Sequence, residues 1–319
     1  MILLWGPPGD GPLAAVRSAL EALGAPVFFL DQRRALETHA ELRMGRQAEG
    51  HVSMEGQTLE LADVTAAYLR PHDSRRLPEV RRAGPGSAAW EHATGLEDLL
   101  FTWSELTEAR VINRPSAMAP NGSKPFQALQ IRAHGFRTPA TLITTDPEEV
   151  RAFKAQHGAV IYKSISGVRS IVSRLGPEHD ARLEHVRWCP TQFQQHVPGT
   201  DHRVHVVGDT VFTARIRSTA DDYRYATRQD GRTYLERGEL PQDIAERCVH
   251  LAQALDLPVA GIDLRRTPEG QWYCFEVNPS PGFTWFQEDT GDAIDAAIAR
   301  LLCEGPATSA RAFSCPHRM

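Results

Sequence analysis

Gly261-Ile262-Asp263-Leu264 and, one turn later, Phe275-Glu276-Val277-Asn278-Pro279 are the two segments on which the reading of this chain depends. Each is an apolar run interrupted by a carboxylate, and Pro268-Glu269-Gly270 between them has turn chemistry. Paired as a hairpin, the two strands aim Asp263 and Glu276 into one cleft. A carboxylate set among apolar residues is expensive unless it has a partner. Two facing carboxylates with the amide oxygen of Asn278 make a hard oxygen site that suits Mg2+. The alternative is a pair of salt-bridged acids at a sheet edge.

Upstream lie segments rich in cations and small residues. Tyr162-Lys163-Ser164-Ile165-Ser166-Gly167-Val168-Arg169-Ser170 places a lysine at the end of an apolar strand, before a Ser/Gly loop. Small residues let backbone N–H groups approach phosphate oxygens, and lysine adds a point charge. Taken alone, such a loop is as readily a plain hairpin. Asn121-Gly122-Ser123-Lys124 opens a helix, where the lysine and the helix N-terminus both favour an anion. Gln192-Phe193-Gln194-Gln195-His196-Val197-Pro198-Gly199 reads as a strand stopped by Pro-Gly, and Asp201-His202-Arg203 opens the next one. Arg215 and Arg217 share a face of a following strand, since side chains alternate. Arginines gathered on a cleft would suit a triphosphate or acyl phosphate; a solvated strand edge is the plainer reading.

The rest of the chain supplies context. Met1 to Trp5 is an apolar run, Leu13, Val16, Leu20 and Leu23 recur at helical spacing, and Val27–Leu30 is a second run, so the opening reads β-α-β. Segments around Gly56 read as a hairpin. We divide the chain into a small α/β unit over 1–72, a helical connector over 73–110, two α/β units over 111–185 and 186–304, and a mobile tail over 305–319. Strands are expected at 138–143, 160–164, 170–174, 191–196, 201–207, 210–216, 261–266 and 271–277. Helices are expected at 121–133, 242–254 and 291–302. The fold class is α/β (α+β). The 319 residues are 41% hydrophobic and carry a net charge of −5, which argues against a general nucleic-acid partner. No run approaches the ~20 apolar residues of a membrane span, and no secretory signal is evident. Five dispersed cysteines suit a reducing cytoplasm and packing roles.

The ordered set Lys124, Lys163 with its Ser/Gly loop, Gln194-Gln195-His196-Val197, Asp201-x-Arg203, Asp263 and Glu276-x-Asn278 resembles the ATP-grasp superfamily over about residues 111–303. It is most similar to the branch of ribosomal-protein glutamate ligases and graspetide (microviridin-type) peptide synthetases. Asn113-Arg114-Pro115, Thr144-Thr145-Asp146-Pro147, Arg266-Thr267-Pro268-Glu269-Gly270 and Tyr68-Leu69-Arg70-Pro71 look like the latter. The resemblance implies two α/β subdomains clasping ATP, preceded by a small α/β domain. It implies ATP and Mg2+ as cofactors and an ATP-dependent carboxylate–amine or carboxylate–hydroxyl ligase acting through an acyl phosphate. The substrate would be a small-molecule or peptide carboxylate with a nucleophile acceptor. The branch also implies a precursor peptide and admits a homodimer.

By the same resemblance, Lys124 and Lys163 contact the phosphates, and Ser164, Ser166, Gly167 and Ser170 close over them. Gln194, Gln195, His196, Val197 and Asp201 border the nucleotide, with main-chain atoms of Gln195 and His196 framing the adenine. Asp263, Glu276 and Asn278 hold Mg2+, while Arg203 and Arg215 steady the acyl phosphate. The chain departs from the branch after Asn278, where Ser280-Pro281-Gly282-Phe283-Thr284-Trp285 replaces Asn-Gly-Gln-Trp, on the side expected for the acceptor. A silent ATP-binding sensor or scaffold would lose a lysine or a metal ligand, and none is missing. A phosphotransferase with no ligated product is the remaining alternative.

Overall fold

A computed structural model of the chain describes residues 1–45, 48–165, 172–218 and 233–305. The opening apolar run is strand β1 (Ile2–Gly6), buried along its whole length. Asp10 caps helix α1 (Gly11–Ala22) by accepting the Leu13 N–H at 2.9 Å, and Leu13, Val16 and Leu20 turn inward as their spacing requires. β2 (Val27–Asp31) returns parallel to β1. A separate antiparallel sheet follows, in the order β3 (His39–Met44), β4 (Ala48–Met54), β5 (Gln57–Glu60). Its second hairpin is the one expected at Gly56. Glu55 and Gly56 both have positive φ, 54° and 75°, as a tight two-residue turn demands. β3 was not foreseen.

β6 (Ala66–Leu69) is followed by α2 (Pro78–Ala83) and the long α3 (Ala88–Leu106), whose Ala93, Leu96, Leu100 and Trp103 pack on the first sheet. β7 (Arg110–Ile112) then completes that sheet in the order β2-β1-β6-β7, all parallel. The sheet begun in residues 1–72 thus takes its fourth strand from the boundary between the segment read as a connector and the unit that follows it.

After α4 (Pro115–Met118), α5 (Lys124–Ala133) starts later than its expected bound of 121, because residues 119–122 wind as a 3-10 turn. β8 (Thr141–Thr144), α6 (Pro147–His157), β9 (Val160–Ser164), β10 (Ser173–Arg174) and β11 (Thr191–Gln195) follow, and the strands form a sheet in the order β10-β9-β11-β8. The strand expected at 170–174 begins outside the described residues. A 3-10 segment, Pro177–Trp188, was not foreseen. This sheet keeps its own core of Val150, Val160, Leu175, Leu183, Val186 and Phe193.

The largest sheet is antiparallel: β14 (Thr233–Arg237), β13 (Thr210–Ser218), β12 (Thr200–Val207), β15 (Val259–Arg266), β16 (Trp272–Asn278). α7 (Gln242–Ala254) covers one face, burying Ile244, Cys248 and Leu251 against Val204, Val206, Ile262, Leu264, Cys274 and Val277. Two helices close the described chain, α8 (Thr284–Thr290) and α9 (Ile294–Cys303), separated at Gly291, whose φ is 72°. Only the second was expected. α9 packs Ile294, Ile298, Leu301 and Leu302 against Ile2, Leu4, Leu13, Val16 and Leu20, so the first and last elements share one core. Among the described residues, no helix is long and apolar enough to cross a membrane.

Candidate functional site

The β15–β16 hairpin exists as read, and its register places Asp263 opposite Glu276 and Gly261 opposite Asn278. β12 extends both rows, with Arg203 opposite Asp263 and His205 opposite Gly261. One face of the large sheet therefore carries Arg203–Asp263–Glu276 in one row and His205–Gly261–Asn278 in the next. α7 covers the other face.

An irregularity makes this possible. The ladder pairs Leu264 with Cys274 but Asp263 with Glu276, leaving Phe275 as an extra residue. Without that bulge, strict alternation would put Glu276 on the same face as Cys274, in the core. One extra residue re-aims the carboxylate.

Arg203 is buried, and its Nη1 donates to Asp263 Oδ1 at 2.7 Å. Its guanidinium lies over Gly261, where a Cβ would fall 2.2 Å from Nη2. The Glu276 carboxylate makes no hydrogen bond or ion pair among the described residues; its carbonyl, not its carboxylate, accepts from Cys274 Sγ at 4.0 Å. Asn278 is oriented by its own turn, its Oδ1 accepting the Ser280 N–H at 2.9 Å, which leaves a second lone pair for a ligand. Burial, with Arg203 adding to it, pushes the His205 imidazole well below the ordinary histidine range, so the neutral ring leaves the row's charge unchanged. Two carboxylates and an amide oxygen on one face are an all-oxygen donor set, which can hold a hard divalent ion. Among the described residues, no three His, Cys, Asp or Glu side chains converge on one point, here or elsewhere, so the set on this face is two carboxylates completed by an amide.

The smaller sheet presents Lys163, Gln192 and Ile143 in one row and Ile161, Gln194 and Thr141 in the next. Lys163, Gln192 and Gln194 thus share a face, with Gln194 Nε2 donating to Thr141 Oγ1 at 3.1 Å. Tyr162, Phe193 and Leu142 occupy the other face and pack on the core. Ser164, opposite Thr191, turns to that other face and is exposed, so it does not join Lys163. Ser166, Gly167 and Ser170 lie outside the described residues. Lys124 is the first residue of α5.

The geometry bears on three further expectations and overturns the last of them. Gln195 and His196 N–H groups are committed inside the protein, to Ala140 O at 2.9 Å and Ala159 O at 2.8 Å. Those N–H groups are therefore not the ones that meet a base. Asp201 lies on the same face as Arg203, two residues along β12, and is held at both oxygens by Arg265, at 2.6 and 2.8 Å. Arg215 is opposite His202, one residue out of phase with Arg203, and therefore lies on the opposite face of the sheet. There it pairs with Glu236, as Arg217 does.

Several residues were missed. Arg265 also donates to Val197 O at 2.8 Å and stacks on the bulge residue Phe275, 5.2 Å from its ring centroid. Arg70 joins Asp10 at 2.6 Å, Ser280 Oγ at 2.9 Å and Pro281 O at 3.2 Å, tying the first sheet to the loop after Asn278. Buried Asn113 donates to Val259 O and Pro279 O and accepts from Val259 N. Gln127 exchanges two hydrogen bonds with Val277. The available signal was a polar amide within an otherwise apolar helix stripe.

Residues 123–302, more than half of the chain, match the sequence model of the RimK-like ATP-grasp domain. A probable alpha-L-glutamate ligase of Xanthomonas oryzae pv. oryzae is 31% identical over 147 residues, 46% of each protein. The chain spans about half the length of the curated relatives it matches. Among solved structures, the macrocyclase MdnC of Microcystis aeruginosa, bound with precursor peptide MdnA, superposes with a TM-score of 0.77 at 24% identity, over 94% of this chain and 98% of MdnC. The ATP-grasp ligase PsnB, complexed with a precursor variant, Mg and ADP, gives 0.77 at 26% identity, over 95% and 97%.

Proposed function

We propose, from the premise that the chain belongs to the RimK-like ATP-grasp family, that it is an ATP-dependent ligase joining a carboxylate to a nucleophile. The carboxylate would sit on a peptide or an amino-acid-like molecule. The row Arg203–Asp263–Glu276, with Asn278 in the next row, carries this reading, because it sets a fixed cation beside an all-oxygen ligand set on one face of the large sheet. PsnB, which shares the fold end to end, was solved with Mg, ADP and a precursor.

A carboxylate cannot expel oxide at neutral pH, so it must be given a leaving group. One carboxylate oxygen attacks the γ-phosphorus of ATP, the bond to the β,γ-bridging oxygen breaks, and ADP leaves. An amine or hydroxyl then attacks the acyl carbon, loses its proton, and phosphate departs. Lys124 and Lys163 bind the phosphates, and the loop of Ser166, Gly167 and Ser170 supplies backbone N–H groups. Gln194, Gln195, His196 and Val197 border the base. Asp263, Glu276 and Asn278 would hold Mg2+, which when bound neutralises phosphate charge. Arg203 stays fixed beside Asp263 and faces the developing acyl phosphate, a preorganised charge that needs no rearrangement during reaction. Arg215 has no part in these steps. The free thiols Cys248 and Cys274 accord with a reducing compartment, and we place the reaction in the cytoplasm.

The test is ADP release from panels of carboxylates and amines or alcohols, with product mass as the second readout. A productive pair should release ADP and give a product lighter by one water than its two substrates together. Glu276→Gln should lower kcat by roughly 10²-fold or more with unchanged melting. Full activity in that variant would remove the site assignment, and a product bearing phosphate in place of a new acyl bond would remove the ligase reading.

A further inference from the structure

We propose that Gln127 is a positioning residue: acting as a one-residue strand against Val277, it locks the β16 bulge in the register that turns Glu276 toward Asp263. The proposal rests on the ligase reading for what the site does. β16 is the outer strand of the large sheet, so among the described residues its far side meets no strand, only the isolated bridge of Tyr273 to Arg137. Val277 is fully buried, and an unpaired backbone N–H or C=O there would be costly. Gln127 Nε2 donates to Val277 O at 2.7 Å, and Val277 N–H donates to Gln127 Oε1 at 3.0 Å. Among uncharged side chains only an amide offers a donor and an acceptor in this arrangement. Gln127 is itself 3% exposed, so water cannot replace it at little cost.

The position of this clamp matters more than its strength. On the other side of the bulge, Cys274 N–H donates to Arg137 O at 2.9 Å. Phe275 and Glu276 are therefore bracketed by two fixed backbone contacts on the outer edge of β16. A slip of the bulge past Glu276 would swing its carboxylate to the α7 side and bring an apolar residue into the row. Gln127 also lies three positions along α5 from Lys124. The same clamp thus ties the helix that opens with a candidate phosphate-binding lysine to the strand that carries two of the candidate metal ligands.

The experiment titrates the purified full-length chain with ADP by calorimetry, with and without Mg2+, in wild type, Gln127→Glu and Gln127→Leu. Glu loses the donor and sets an anionic oxygen against Val277 O; Leu loses both bonds. Wild type should bind ADP more tightly with Mg2+. Both variants should lose roughly 10–100-fold of that gain, while metal-free ADP binding stays close to wild type. A merely structural role would weaken both affinities together, and that result, or an intact Mg2+ gain in folded Gln127→Glu, overturns the proposal. If wild type shows no Mg2+ gain, the ligase reading falls and this proposal with it. If neither variant folds, amide exchange in the wild-type chain decides: Val277 N–H should exchange as slowly as the β12–β15 ladder, and exchange at the rate of an exposed amide overturns the clamp.

Discussion

Gly261 shows how one missing side chain can shape a site. The Arg203 guanidinium rests where a Cβ would lie, 2.2 Å from Nη2, and Pro281 Cβ would be 2.7 Å away on another side. In Gly261→Ala something must move, and the tip of a side chain gives way more readily than the loop. Overpacking of this kind costs on the order of 1–3 kcal/mol. Misplacing a group that must face the reacting atoms costs more, on the order of 10²-fold in rate. We therefore expect Gly261→Ala to keep a near-normal melting curve and lose about that factor in kcat for ADP release. The residues that bear charge were legible because charge among apolar neighbours is conspicuous in a sequence. Gly261 was visible only as part of a quoted motif, since nothing in a sequence says which side chain will lie over a glycine. The cysteines divide similarly. Cys248 and Cys274 are packing residues as expected, with burial pushing the Cys248 thiol up to about 12, but Cys189 and Cys303 are exposed.

At the scale of elements, most strands of the large sheet were readable from their apolar runs, and the β15–β16 pairing followed from its turn. The bulge was not. Periodicity alone assigns Cys274 and Glu276 to one face, and the extra Phe275 reverses this. Arg215 failed for the related reason that alternation fixes faces within a strand, whereas the face relative to another strand depends on a register no motif states. β7 is too short to leave a periodic trace. Arg265 connects the features that were missed: it stacks on the bulge residue, holds Asp201, and reaches Val197 O in the segment that leads from β11 to β12. Arg265→Met keeps the bulk and removes these bonds. We expect the KM for ATP to rise on the order of tenfold, equivalent to about 1.4 kcal/mol, with a smaller change in kcat. An unchanged KM would show that the β11–β12 segment is held without it.

Across the whole molecule, the first sheet is fastened to the site through Arg70. Its pair with Asp10 is nearly buried, side chains 10% and 12% exposed, and the same guanidinium reaches the Ser280–Pro281 loop. Arg70→Ala would strand the Asp10 carboxylate. Removing one partner of a buried pair costs on the order of 3–5 kcal/mol, which a lowered denaturant midpoint would report. Asp10→Asn, which leaves no unpaired anion, should cost less. Equal losses in the two variants would mean that the ion pair, and not the ties of Arg70 to the loop, dominates.

The core shared by α1 and α9 has a consequence for how this chain is made. A ribosome releases the first sheet long before it has synthesised Ile294 to Leu302, the residues that cover the apolar side of α1. Until then Leu13, Val16 and Leu20 wait without their final cover, and the nascent amino-terminal half presents an apolar face that is sealed only once residues 294–302 have been made.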